Sequence, residues 1–264
     1  PRLRPQSPAP RAKVDEPSLP QKLSRTVTLY VRGAPKNASM VLVGIARLWR
    51  RAQPGAGVSY FQAACFLAGW ITLGLSILSP LDALGEELFW AHMVQHEVMM
   101  LLAAPALVMS RPLGPLVWGL PAAWRPGAAA LAKGLGLQAA IRPLTPPLTA
   151  WWVHAVVLWG WHAPQMFEAA LTHSWVHDLQ HASFLIGSLV FWWALFQSHG
   201  GRRREGAAVF YLFTTLLHTS ALGALLTFSQ RPWYSPYAET THGWGLSALG
   251  GQQLGGLIMW VPGG

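Results

Sequence analysis

From residue 58 onward the chain alternates long apolar runs with short polar connections. A helix needs about 20 mostly apolar residues to cross the hydrocarbon core of a bilayer. The runs 58–78, 88–109, 173–196 and 207–228 meet that length, 148–163 is shorter but rich in Trp, and 245–262 is rich in Gly. The expectation is an all-α, polytopic transmembrane bundle with six spans. Two weaker stretches read as membrane-surface helices: 38–51 (ASMVLVGIARLWRR), closed by a basic cluster, and the Ala/Gly-rich 121–142 with spaced cations. Residues 1–36 mix Pro, Lys, Arg and Ser and read as disordered. The expected division is a basic tail with its interfacial segment over 1–51 and a helical membrane domain over 52–264.

Composition agrees, and the placement of charge changes what the charge means. Only 11% of residues are charged, against roughly 25% in a soluble domain. The net charge of +9 would suggest an acidic partner such as nucleic acid, but residues 1–51 hold 11 basic and 2 acidic side chains, while 52–264 hold 8 of each. The excess belongs to the tail, so no nucleic-acid face is expected.

The same cations set an orientation. With Arg47, Arg50 and Arg51 inside, alternation puts Arg111, Arg125, Lys133, Arg142 and Arg202 to Arg204 inside and only Arg231 outside. Without the distal tail that is 10 cations against 1, a bias that fixes sidedness by the positive-inside rule. The outer connections carry Asp82, Glu86, Glu87, Glu168 and Glu239.

Nine of the ten histidines then fall in the outer half or the outer loops; only His199 lies inside. At about 1.5 Å rise per residue, His92 and His177 lie roughly 6 Å below the outer rim, His96 and His181 roughly 12 Å, and His154 and His218 at about 12–15 Å. His162 ends run 148–163, and His242 sits in the last outer loop. His92 and His96 form an i, i+4 pair that Met100 continues, and His173, His177 and His181 form a second stripe; residues four apart share a helix face. Taken singly, His154 or His218 reads as a core histidine, His173 as a helix cap and Met99 as packing. Four ionisable rings at matched depths on two apolar helices are different, because such groups are costly in lipid and mark function. The metal candidates are His92, His96, His162, His177, His181, His173, His154, His218, His242 and Met100. Imidazole suits copper, zinc and iron, and thioether selects Cu(I), so nearby methionines tilt the choice to copper. Glu97 and Asp178 each follow a stripe histidine and point about 100° away, as groups that orient a His N–H or face a neighbouring helix. Gly251 and Gly255 read as a small-residue helix contact. Cys65 is the only cysteine, which excludes disulfides and Cys-pair metal sites. No phosphate loop, nucleophile elbow or dinucleotide fingerprint is present.

The runs PLDALGEELFWAHMVQHEVMMLLAAPALVMSRPL (80–113), WGWHAPQMFEAALTHSWVHDLQHASFLIGSLVFW (159–192) and HGWGLSALGGQQLGGLIMWVPGG (242–264) resemble the CtaG-type (caa-type) cytochrome c oxidase assembly factors, polytopic bacterial membrane proteins linked to formation of the oxidase copper centres. The resemblance covers roughly 58–264. It implies seven spans in the usual member, the first falling where residues 29–51 are polar and basic here. It also implies an acidic residue just before Gln252, where this chain has Gly251. His92, His96, His162, His177, His181 and His242 match its motifs.

Together these features predict a non-enzymatic protein of the bacterial plasma membrane, its basic tail cytoplasmic. It would hold or deliver copper on the outer face for an oxidase subunit. Capture falls to His92, His177 and His162, and transfer or storage to His96, His181 and His154. Two rivals are a haem-b electron carrier, with His96 and His181 as axial ligands, and a membrane di-iron hydroxylase. The second normally needs a His-x-x-His-His run, absent here, and a cytoplasmic site.

Overall fold

The computed structural model describes residues 39–51, 54–55, 57–134, 136, 141–197 and 202–263. Among these, no strand occurs. Helix α1 covers 39–51. The first long helix, α2 (Tyr60–Leu78), opens with a capping box, in which Gln62 N–H donates to Ser59 Oγ and Ser59 N–H to Gln62 Oε1. Ser79 then caps the short α3 (Pro80–Glu87), whose first helical position is a proline. Extended backbone at Leu88 separates it from α4 (Phe89–Ser110). Beyond lie α5 (Leu113–Gly119), α6 (Arg125–Gly134), α7 (Pro147–His162), α8 (Pro164–Thr172), α9 (Ser174–Gln197), α10 (Arg202–Thr227), α11 (Tyr237–Thr240) and α12 (Ala248–Trp260).

Of these, α2, α4, α9 and α10 are long and apolar enough to cross a membrane. They carry the four longest expected runs. The other two expected spans form shorter helices: α7 has 16 residues and α12 has 13, which at 1.5 Å per residue is about 24 and 20 Å against a core of roughly 30 Å. Tyr60, Phe61, Ile71 and Leu75 on α2, and Val209, Phe210, Phe213 and Leu217 on α10, each leave more than half their surface uncovered. Such apolar faces are ordinary in lipid and rare on a soluble protein. Within the expected surface helix at 121–142, Arg125–Gly134 form α6, preceded by a single turn of 3-10 helix at Ala122–Trp124.

Helices α4, α9, α7, α10 and α12 close a ring in that order, and α2 packs outside against α4. Small residues set the closest approaches. A methyl group added at Gly256 would lie 2.6 Å from Thr227 Oγ1 and 2.8 Å from the Gly223 carbonyl, so α10 and α12 touch nearly backbone to backbone. Gly255 faces the Phe89 ring and Met93 on α4, as helix packing at this glycine requires, while Gly251 lies near Thr241. Helix α1 crosses α5 where Gly44 meets the Pro115 carbonyl and Gly119 meets Met40. There Arg47 donates to the carbonyls of Trp118, Gly119 and Leu120 at 3.3, 2.6 and 2.9 Å, a cation placed on a helix C-terminus.

One departure from regular helix positions the site. Residues Val98–Ala103 form a wide π-type turn, and Ala104 N–H reaches back to Met99 O. Pro105 follows, and with no N–H it cannot bond to Leu101 O. The freed Met100 carbonyl accepts from Trp192 Nε1 on α9 at 2.9 Å. The extra residue shifts the helix phase, so what lies beyond residue 98 does not continue the face that carries His92 and His96.

Candidate functional site

Helices α4 and α9 bring their histidines together inside the ring. Ring centroids are 4.3 Å apart for His92 and His96, 4.2 Å for His177 and His181, 5.4 Å for His92 and His177, and 5.2 Å for His96 and His181. His92, His96 and His181 are buried, and one donor atom from each lies within 4.8 Å of the others. Nitrogens bound to one tetrahedral ion at 2.0–2.1 Å would stand about 3.3 Å apart, so modest rotation closes this triplet on a metal. A second triplet, Asp82, His177 and His181, meets the same distance limit and shares His181 with the first.

Hydrogen bonds prepare the nitrogens for coordination. His92 Nδ1 lies 3.3 Å from Gly85 O, and His162 Nδ1 lies 2.7 Å from Leu158 O. A ring that donates through Nδ1 carries its lone pair on Nε2, the arrangement metal-binding histidines use. In both residues Nε2 is buried and makes no hydrogen bond, as are both nitrogens of His96 and the Nε2 atoms of His177 and His181. Buried polar atoms nearly always find a partner. A group of unpaired imidazole nitrogens facing one another is what a ligand set requires.

Aromatic rings wall the cluster. Phe167 lies 5.0 Å from His92 and 6.1 Å from His162, and Phe184 lies 4.5 Å from His96 and 6.1 Å from His162. His162 therefore borders the cluster from the end of α7. The connection after α10 covers it: Tyr234 stacks on Phe167 at 4.2 Å and donates to His162 O, while Tyr237 donates to Gly85 O. Burial raises the phenol pKa of both tyrosines, so both remain donors.

The remaining candidates lie elsewhere. His173 and His242 are exposed. His173 bonds within its own turn, Nδ1 lying 2.8 Å from Thr172 Oγ1. His154 and His218 form a separate pair, 5.9 Å apart, with His154 against Phe191 and His218 accepting from Trp159 Nε1. His154 lines a small cavity of about 40 Å³ with Glu97, Met100, Thr215 and Thr219. Met100, within the wide turn, thus faces this chamber, as does Glu97 just before the turn; Gly263 is Glu97's near neighbour. His199 lies outside the described residues.

Three site residues escape a search for histidines alone. Asp82, at the start of α3, accepts from Gln95 Nε2 at 2.7 Å, and the same nitrogen donates to Ser76 O at 2.9 Å. Burial raises the Asp82 carboxyl pKa, aided by Glu86 and Asp178 and opposed by the Gln95 bond and by His177. Gln180 is wholly buried on α9 beside His92. A signal for both glutamines does stand in the chain: His92-Met93-Val94-Gln95-His96 and His177-Asp178-Leu179-Gln180-His181 are the same His-x-x-Gln-His pattern.

Fold and site together define a protein that is helical throughout its described residues, with four helices long and apolar enough to cross a membrane and a buried histidine cluster between two of them. The family model of the cytochrome c oxidase caa3 assembly factors matches residues 41–264, and the chain belongs to that family. The match contains every histidine and begins within α1, ahead of the region where the resemblance was visible. No curated protein and no solved structure matches the chain.

Proposed function

We propose that this assembly factor binds copper at the cluster of His92, His96, His177 and His181 and holds or delivers it for an oxidase subunit during maturation. The observation that carries the reading is the convergence of three buried imidazoles, with donor atoms within 4.8 Å and no competing hydrogen bonds at His92 Nε2, His96 or His181 Nε2. His162 borders them, and a neutral all-imidazole set suits an exchangeable copper cargo. The role is binding and delivery rather than catalysis. The bundle crosses the bacterial plasma membrane six times, α7 and α12 supplying the two short spans, with the basic tail 1–51 cytoplasmic and the cluster at the outer face. The one-sided distribution of cations supports that orientation.

A haem-b carrier would need a slot between His96 and His181. These rings meet edge to face at 5.2 Å, and Phe184 packs against His96, which leaves no room there for a macrocycle.

Metal analysis of the purified full chain tests the proposal. Copper without iron, and no Soret band, is the expected result, with copper lost in the His92→Ala, His177→Ala double variant. Unchanged copper in that variant would overturn the site; iron or a Soret band would overturn the copper assignment.

A further inference from the structure

The two ligand triplets differ in setting and share one member. His92, His96 and His181 are all buried, whereas Asp82 and His177 are half-buried in the first turns of α3 and α9. Asp82 is held in place by a buried residue. Gln95, on α4 between His92 and His96, ties the Asp82 carboxylate to Ser76 of α2 through one amide nitrogen. His177 in turn stands 4.2 Å from His181 and 5.4 Å from His92, so no gap separates the two triplets.

Resting on the copper reading above, we infer that Asp82, His177 and His181 form an outer metal position through which a single ion passes to and from the buried His92–His96–His181 position, with Asp82 as the mouth ligand. Because both positions use His181, they serve one ion in succession. The ion would exchange the Asp82 oxygen and the His177 nitrogen for the nitrogens of His92 and His96 while keeping His181. The metal keeps its oxidation state, and only metal–ligand bonds form and break. The chemistry suits the location: a carboxylate at the mouth offsets the charge of a cation losing its water, and the neutral rings beyond it hold a monovalent ion in an apolar surround. Gln95 is a positioning residue, setting the carboxylate without touching the ion.

A position occupied only in passing changes rates rather than equilibrium. Removing it raises the same intermediate for both directions, so loading and release slow by the same factor. The test uses the full chain in detergent under reductant. Cu(I) is supplied as a weak chromogenic chelate, and a strong chelator in excess withdraws it. Asp82→Asn keeps the oxygen that accepts from Gln95 and removes the charge; His177→Ala removes the other outer ligand. Both should slow loading and release together, by about tenfold or more, and Asp82→Asn should do so with copper content per chain unchanged. Gln95→Leu should slow both rates in the same direction. Rates within about twofold of the native protein in Asp82→Asn and His177→Ala would overturn the inference. Loss of copper content in Asp82→Asn would also overturn it, by making Asp82 a ligand of the resting site. Absence of copper from the native protein would instead remove the copper reading, and this inference with it.

Discussion

The clustered histidines of α4 and α9 and the paired histidines of α7 and α10 have similar sequence credentials and different structural outcomes. His92, His96, His177 and His181 come from two helices that face each other, and four of their ring pairs lie within 4.2–5.4 Å. His154 and His218 also sit in apolar helices, yet their rings are 5.9 Å apart, one packed on Phe191 and the other bonded to Trp159. The nearest polar groups line a small chamber rather than converging on a point. An imidazole in an apolar helix is therefore not a site by depth alone. What separates the two regions is the convergence of three or more lone pairs that no other group has engaged.

The sharpest way to break this contrast is to remove one ring from each region. His96→Leu should reduce copper in the purified protein to the level of detergent alone, while His154→Leu should leave the copper content unchanged, both read by elemental analysis. Equal losses in both would erase the distinction. The next largest effect concerns the walls. Phe167→Ala should cost about 3–5 kcal/mol of stability by leaving a cavity, measured as a lowered unfolding midpoint, and should also weaken copper binding, because Phe167 packs on His92. Phe191→Ala should destabilise to a similar extent with copper affinity retained. Gly256→Ala comes third, at about 1–3 kcal/mol from forcing α10 off α12; it disturbs the helix of His218 and should spare the cluster of α4 and α9. Gln95→Leu leaves the Ser76 carbonyl and Asp82 without their shared donor and should cost about 1–3 kcal/mol in the same unfolding measurement. Smallest of all, His173→Ala and His242→Ala remove exposed rings and should stay within about 0.5 kcal/mol of the native protein, with copper content unaltered.

Much of the molecule is legible in the chain because a membrane restricts what can be written there. With no water to satisfy the backbone, apolar runs of the right length must be helices, and four such runs became α2, α4, α9 and α10. The pairing of His92 with His96 and of His177 with His181 follows from helical spacing alone. Met100 stands apart from the four-histidine cluster for a local reason. Extending the stripe by four more residues assumes a regular helix, and Pro105 together with the wide turn at Val98–Ala103 rotates Met100 into the chamber of Glu97 and His154. Asp82 is hidden for the opposite reason. It stands ten positions before His92 in a connection that reads as an outer loop, and only the folding of α3 back against α4 places its carboxylate beside His177 and His181.

By itself, then, the sequence determined the helical class, the length of the four longest apolar helices, the excess of cations in residues 1–51 and the two His-x-x-Gln-His repeats. Each follows from interactions within one segment or between that segment and lipid or water. The tertiary structure decided which histidines meet, that His181 belongs to two ligand sets, and that Asp82 and Gln95 join them. Those facts depend on which helix faces are pressed together, and helix neighbours in this ring are set by close contacts such as Gly223 against Gly256 and Gly255 against Phe89. Such contacts act between residues far apart in the chain, and no period or local motif encodes the partner.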